Sequence, residues 1–239
     1  MSLIHQVDAI PVAIPLKQPV RLASEAIVQA ENLIVRVIDS EGVVGWGEAA
    51  SAPTMTGERL PGMVTAVTKL IAPHLAGLPV CDRARWMNTI GSLAGNPGAR
   101  SAVDMALHDL LGKRLAQPLA TVAADGGPVP PPKALPLIAT LSALDPKASL
   151  ERAAELAQQG TTHFKVKVGQ GQAVDEARFL CALRECIGET AHLSADANMA
   201  WDVETAGRFL RSAVPAQLNY LEQPLPDGRI SDMALIAAH

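Results

Sequence analysis

Two periodicities divide the chain. Residues 4–15, 33–38 and 43–48 are β-rich runs, and Asp39, Ser40, Glu41 and Gly42 lie between the last two, with glycine where a hairpin needs positive φ. A three-stranded antiparallel sheet is predicted. Residues 61–75, 81–93 and 99–115 repeat apolar positions every three or four residues, the helical period, so helices pack against that sheet. Residues 125–132 read DGGPVPPP, and no regular element survives four prolines in that span. A linker is placed at 125–133, between a domain at 1–124 and a second at 134–239. In the second domain strands at 134–141, 162–168, 192–195 and 218–221 alternate with helices at 146–159, 173–187 and 203–214, and a last helix covers 232–238. Asp145 and Pro146 supply an N-cap and a first-turn proline. Repeated β-α units with apolar strands predict a parallel sheet, either open and doubly wound or part of a (β/α)8 barrel.

Polar residues interrupt those strands near their C-terminal ends: Thr140, Lys165 with Lys167, Asp196 and Glu222. The steps from Thr140 to Lys167, Asp196 and Glu222 are 27, 29 and 26 residues, each about one β-α unit, so all of them fall on one rim. Ligands bind at that rim in both parallel architectures. Lys165 and Lys167 are two apart on a strand and point the same way. Their mutual repulsion is expected to disfavour protonation and to leave one of them able to take a proton near neutral pH. The plainer alternative has both lysines capping the strand end in water, but Phe164, Val166 and Val168 mark an interior strand, where lysine is costly. Asp196 and Glu222 are hard oxygen ligands suited to Mg2+, with Asn198 in support, unless Asp196 caps the next helix and Glu222 opens a turn.

Composition narrows the partners. Of the 239 residues 49% are hydrophobic and 18% charged, with a net charge of −4, which argues against nucleic acid and anionic membranes. Aromatic residues are only 3%, so stacking platforms for bases or sugars are scarce and a small polar substrate is favoured. Three cysteines, Cys81, Cys181 and Cys186, suit a reducing cytosol, and residues 1–16 lack the unbroken apolar run of a signal peptide. A cytoplasmic protein is expected. Gly45-Trp46-Gly47 lacks the third glycine of a dinucleotide fingerprint and reads as a tight β segment. The six histidines show no ligand spacing, and Trp46, Trp86, Trp201, Cys181 and Cys186 read as packing residues.

Four segments in order resemble the mandelate racemase/muconate lactonizing enzyme family of the enolase superfamily: ARSAVDMALHDLLGK at 99–113, FKVKVG at 164–169, SADAN at 194–198 and LEQP at 221–224. The resemblance implies an α+β capping domain followed by a (β/α)8-type barrel. It implies Lys167 as general acid/base, Lys165 as the lysine that tunes it and steadies a substrate carboxylate, and Asp196 and Glu222 as two of three Mg2+ ligands. Thr140 and Arg21, the latter in PVRLASE, fall where the family contacts substrate or carries a specificity loop. The implied reaction removes a proton α to a carboxylate and leaves a metal-stabilised enediolate. Isomerases of the K-x-K branch act as cycloisomerases, dipeptide epimerases or N-acyl amino acid racemases, so the implied substrate is a dipeptide, N-acyl amino acid or muconate-like carboxylate. Only 106 residues follow the linker, against about 250 for a whole barrel, so about four β-α units are expected. A half-barrel exposes a strand edge and favours self-association, so a homo-oligomer is expected. Alternative readings are a non-catalytic remnant, a half-barrel that needs a partner, and an unrelated open α/β binding protein.

Overall fold

The structure is a computed structural model that describes residues 1–21, 26–124 and 135–237, with side chains of 18–26 not described. Its contacts gather into two compact units, divided within the 125–134 stretch. The linker residues 125–133 therefore lie outside the described residues.

In the first unit β1 (Ile4–Arg21), β2 (Ala26–Asp39) and β3 (Val44–Ala50) form a three-stranded sheet in that order, β2 and β3 running antiparallel with Val35 opposite Gly47. Strand β1 runs past the predicted end at 15 although it contains Pro11 and Pro15. It is an edge strand, the position in a sheet where proline is tolerated. The turn forms as expected: Gly42 has φ +83°, and the Asp39 carboxylate accepts from the Glu41 and Val43 amides. Leu33, Val35 and Val37 present one fully buried face, alternate positions as a half-buried strand requires.

That face packs with α4 (Pro97–Leu115), whose Ala102, Ala106 and Leu110 are buried on one side. Glycine is required at two positions of β3. A Cβ at Gly45 or Gly47 would stand 2.1 Å and 1.9 Å from the Ala106 and Ala102 carbonyl oxygens, so the helix rests directly on the strand backbone. The predicted helix at 61–75 is α1 (Leu60–Thr65), a π-helical segment (Ala66–Ile71) and α2 (Ala72–Leu75). Pro73 lacks the N–H that would bond the Lys69 carbonyl and its ring crowds that oxygen, so a wide turn precedes it. Asp82 caps α3 (Arg83–Gly91), accepting from Arg85 N at 3.2 Å. The short α5 (Leu119–Ala123) lies beyond the helices that the apolar period predicts. Trp86 is buried as expected, whereas Trp46 is exposed on β3 and Cys186 also lies at the surface.

The second unit alternates strand and helix. Parallel strands β4 (Ile138–Ser142), β5 (His163–Lys167), β6 (His192–Asp196) and β7 (Tyr220–Glu222) stand side by side in chain order. Between them run α6 (Pro146–Gln158), α7 (Ala173–Ile187) and α8 (Val203–Ala213), and α9 (Ile230–Ala237) follows. Asp145 caps α6 as its sequence predicts, accepting from Ala148 N at 3.1 Å with Pro146 in the first turn. Phe164, Val166, Leu193 and Ala195 form the apolar face of the sheet and are buried with Ala177, Leu180, Leu183 and Phe209 of the helices. Each large side chain of that set stabilises the unit by about 1.5–3 kcal/mol. No helix among the described residues is long and apolar enough to cross a membrane.

Candidate active site

The other face of the parallel sheet is polar, and strand register sets its levels. Ser142, Lys167, Asp196 and Glu222 are successive Cα partners across β4–β7, so they form one row at the strands' C-terminal ends. The row below holds Thr140, Lys165, Ser194 and Tyr220. Thr140 is thus level with Lys165, and Ser142 takes the place beside Lys167 that residue spacing had given to Thr140. The backbone locks the upper row one residue further on. Ala143 N donates to Lys167 O, Val168 N to Asp196 O and Ala197 N to Glu222 O, at 3.0, 3.0 and 3.1 Å.

Lys165 and Lys167 point to the same side, as the two-residue spacing predicts, and both reach carboxylates. Lys167 Nζ donates to Asp196 Oδ2 at 2.5 Å and to Asn198 Oδ1 at 2.9 Å. Lys165 Nζ stands between two carboxylates, 2.6 Å from Glu222 Oε2 and 3.0 Å from Asp196 Oδ2. Neither lysine simply faces water: their side chains are 20% and 23% exposed, and that of Asp196 is 1% exposed. Asp196 does not cap α8, a task done by Asp202 through Thr205 N at 2.7 Å. Its Oδ1 instead accepts from Asn198 N at 3.0 Å. Asn198, Met199 and Gln223, with φ of 45°, 67° and 39°, hold left-handed backbone at the exits of β6 and β7. Such strain in non-glycine residues concentrates at functional sites.

The electrostatics correct one expectation. Burial disfavours the Lys165 ammonium, but hydrogen bonds and charges from Glu222 and Asp196 outweigh it, so its pKa is raised rather than lowered by its lysine neighbour. Burial likewise opposes ionisation of Asp196, and the bonds from Lys167, Lys165 and Asn198 N prevail, holding its carboxyl below the usual range.

The donor set fits part of a Mg2+ site. Asp196 and Glu222 are hard oxygen ligands on adjacent strands, and the Lys165 ammonium already takes a cation's place between them. Among the described residues no group of three His, Cys, Asp or Glu joins them to hold a metal. Arg21 ends β1, and its side chain lies outside the described residues.

Sequence reasoning missed Glu176, in the first turn of α7. Its buried carboxylate accepts three successive amides of the loop that leaves Lys167: Gly169 N at 2.8 Å, Gln170 N at 3.0 Å and Gly171 N at 2.9 Å. An acidic residue there reads as a favourable partner of the helix dipole and gives no sign of burial. The glycines at 169 and 171, seven and five residues earlier, were the available signal.

A parallel β/α sheet with paired lysines and carboxylates on its C-terminal rim, joined in one chain to an antiparallel-sheet unit, defines a two-domain α/β architecture of partial-barrel type. Residues 4–122 match the mandelate racemase/muconate lactonizing enzyme N-terminal domain, and 148–239 match the enolase C-terminal domain-like family. A chloromuconate cycloisomerase from Cupriavidus pinatubonensis is 32% identical over 97% of this chain and 62% of its own. The crystal structure of N-succinyl Arg/Lys racemase from Bacillus cereus superposes with a TM-score of 0.90 at 26% identity, covering 99% of this chain and 63% of the other. A dipeptide epimerase from Enterococcus faecalis, complexed with Mg and the dipeptide L-Leu-L-Tyr, gives 0.87 at 25% identity over 99% and 65%. The chain belongs to the mandelate racemase/muconate lactonizing enzyme family of the enolase superfamily. It spans about 60% of the length of the curated relatives it matches, and those relatives are isomerases.

Proposed function

We propose that the chain carries the acid–base half of an isomerase active site in which Lys167 removes the proton α to a carboxylate. The observation that carries this reading is the cluster in which Lys167 meets Asp196 and Asn198 while Lys165, from the row below, bridges Asp196 and Glu222. Lys167 Nζ takes the α-proton, and the electron pair left on the substrate moves toward its carboxylate. Asp196 and Asn198 then hold the charged head on one face of the substrate; exchange of the α-proton needs this face alone, whereas inversion of the centre needs a proton delivered from the opposite face. Lys165, one level lower on the same strand, keeps a positive charge facing the substrate carboxylate. Asp196 and Glu222 would hold Mg2+, which supplies positive charge to the substrate carboxylate as it gains electron density. The substrate class is a small carboxylate: a dipeptide, an N-acyl amino acid or a muconate-like diacid. Residues 1–124 serve as the capping domain, 125–133 as its linker, and Arg21 and Thr140 as substrate contacts.

Deuterium uptake at Cα in D2O with Mg2+, over dipeptide and N-acyl amino acid libraries, tests the reaction. Lys167→Ala is expected to lower that exchange by about 10²–10⁴-fold, the range for a lost general base. Exchange that persists in this variant removes Lys167 from its role. Calorimetric titration with Mg2+ checks the carboxylates without turnover: binding is expected to weaken in Asp196→Asn, and unchanged binding there removes Asp196 as a ligand.

A further inference from the structure

We infer that Glu176 is a positioning residue for Lys167, an inference that rests on the reading of Lys167 as the base. Glu176 is 4% exposed, and among the described residues no cation is paired with it. Its charge is balanced by backbone alone. Oε2 accepts from Gly169 N, and Oε1 accepts from both Gln170 N and Gly171 N. Three successive N–H groups curled around one carboxylate make an anion-binding concavity, here filled from within the chain by the helix that the loop leads into. Burying a carboxylate is costly unless such bonds compensate, so the loop and the carboxylate fix each other.

This loop starts immediately after Lys167. Lys167 O is held by Ala143 N, and Val168 N by Asp196 O, so the backbone on the β4 and β6 sides is already fixed by the sheet. The Glu176 clamp fixes the next three residues, which leave the sheet. Gly169 carries the restraint to the neighbouring rim loop. At φ +88° it lies so close to residues 197–200 that a Cβ would stand 2.5 Å from Ala200 Cβ and 3.1 Å from Ala197 O. Between those two residues lies Asn198, whose Oδ1 accepts from Lys167 Nζ. One carboxylate in α7 therefore steadies the stem of Lys167 from behind and the partner of its head from the side. Displacement of a reacting group by about 1 Å costs up to 10²-fold in rate, so this restraint acts on turnover more than on substrate affinity.

Glu176→Gln turns one of the two acceptors into a donor facing an N–H. Glu176→Asp keeps the charge and withdraws it by one methylene, which guards against failure of the first variant to fold. Three readouts are taken on the whole chain: amide exchange at 169–171, labelling of Lys167 by an amine-reactive ester relative to exposed Lys147, and kcat and KM for Cα deuterium uptake. Arg184→Met serves as the control, because Arg184 is buried further along the same helix and bonds only backbone carbonyls, of residues 188, 189, 191, 216 and 217. The Glu176 variants are expected to speed amide exchange at 169–171 at least tenfold and to change Lys167 labelling at least threefold. They are expected to lower kcat about tenfold or more with KM within twofold, while Arg184→Met leaves labelling and kcat near wild type. Freed amides with unchanged Lys167 labelling and kcat would make Glu176 a loop staple only and overturn the inference, as would protection that survives both substitutions. If wild-type chain exchanges no substrate proton, the proposed reaction fails, and the labelling ratio alone still decides whether Glu176 places Lys167.

Discussion

The two units contain charge clusters of similar size built on opposite plans. In the first, Asp39 has a fully buried side chain and four donors: Ser2 Oγ, the Glu41 and Val43 amides, and the Arg114 guanidinium. Those donors fill the roughly four lone-pair positions of one carboxylate. Nothing is left over for a ligand. In the second, Asp196 Oδ2 is shared by two ammonium groups and Glu222 is 44% exposed. Either lysine can leave Asp196 while the other keeps it company. The cation types differ in the same sense. Arg114 cannot lose its proton and forks to Asp39 and Glu41, whereas a lysine can exchange one. The cluster around arginine is saturated; the one around lysines is redundant, so that one cation can move while Asp196 stays paired.

The largest expected effect separates these plans directly. Asp39→Asn leaves Arg114 and the turn amides short of an acceptor, and removing one partner of a buried pair costs about 3 kcal/mol or more. Lys167→Ala leaves the equally buried Asp196 paired with Lys165, so its carboxylate keeps a cation and the loss of stability is expected to be clearly smaller than for Asp39→Asn. Urea denaturation read at the indole signals of Trp86 in the first unit and Trp201 in the second measures each unit separately. Comparable losses in the two variants would make the lysine cluster structural and undo the contrast.

Much of this was legible in the residues, for physical reasons that differ by element. Units from Asp145 onward were read almost to the residue because caps and period agree: Asp145-Pro146 opens α6, and the apolar spacing of residues 173–187 and 203–213 sets α7 and α8. Strand β1 was cut short because proline weighs against a strand only when the strand is interior, and edge position is a property of the sheet. Lys165, Lys167, Asp196 and Glu222 were visible because a charged residue on an apolar strand has few structural uses. Their level was less so: residue spacing between β-α units matched Thr140 to Lys167, while hydrogen-bond register matches Ser142. The raised pKa of Lys165 was hidden as well, because the spacing of two lysines says nothing of two carboxylates arriving from β6 and β7.

The next effect is a difference between acid and alkali. Asp39 is held well below the usual carboxylate range, burial opposing its charge and the bonds from Arg114, Ser2, Val43 and Glu41 overcoming it. A depressed folded pKa gives stability that is present above the unfolded value, about 3.9, and is lost as pH falls through the folded one. Asp196 is shifted the same way, so acid weakens both units. The raised pKa of Lys165 has the opposite sign: its contribution is full below the unfolded value, about 10.4, and is lost as pH rises through the folded one. With chelator present, a shift to pH about 11 is expected to weaken the second unit and spare the arginine-based cluster of the first. Lys165→Met is expected to flatten that alkaline slope at the Trp201 signal; an unchanged slope would assign it to another group.

The smallest effect asks whether the units differ in anything besides their charge clusters. Both use an aspartate to open a helix: Asp82 accepts from Arg85 N on α3, and Asp145 accepts from Ala148 N on α6. Asp82→Ala and Asp145→Ala are each expected to cost about 1 kcal/mol, the usual value of a lost N-cap. The α6 cap has one added neighbour, since Ser149 Oγ donates to Ser142 O at 2.8 Å and so ties the first turn of α6 to the strand end beside Lys167. Equal losses, read at Trp86 and Trp201, would confine the contrast to the lysines and their carboxylates. A clearly larger loss for Asp145, with faster amide exchange at Ser142 and Ala143, would extend the site's support to α6 and make the rim depend on its helix starts as well as on its strand register.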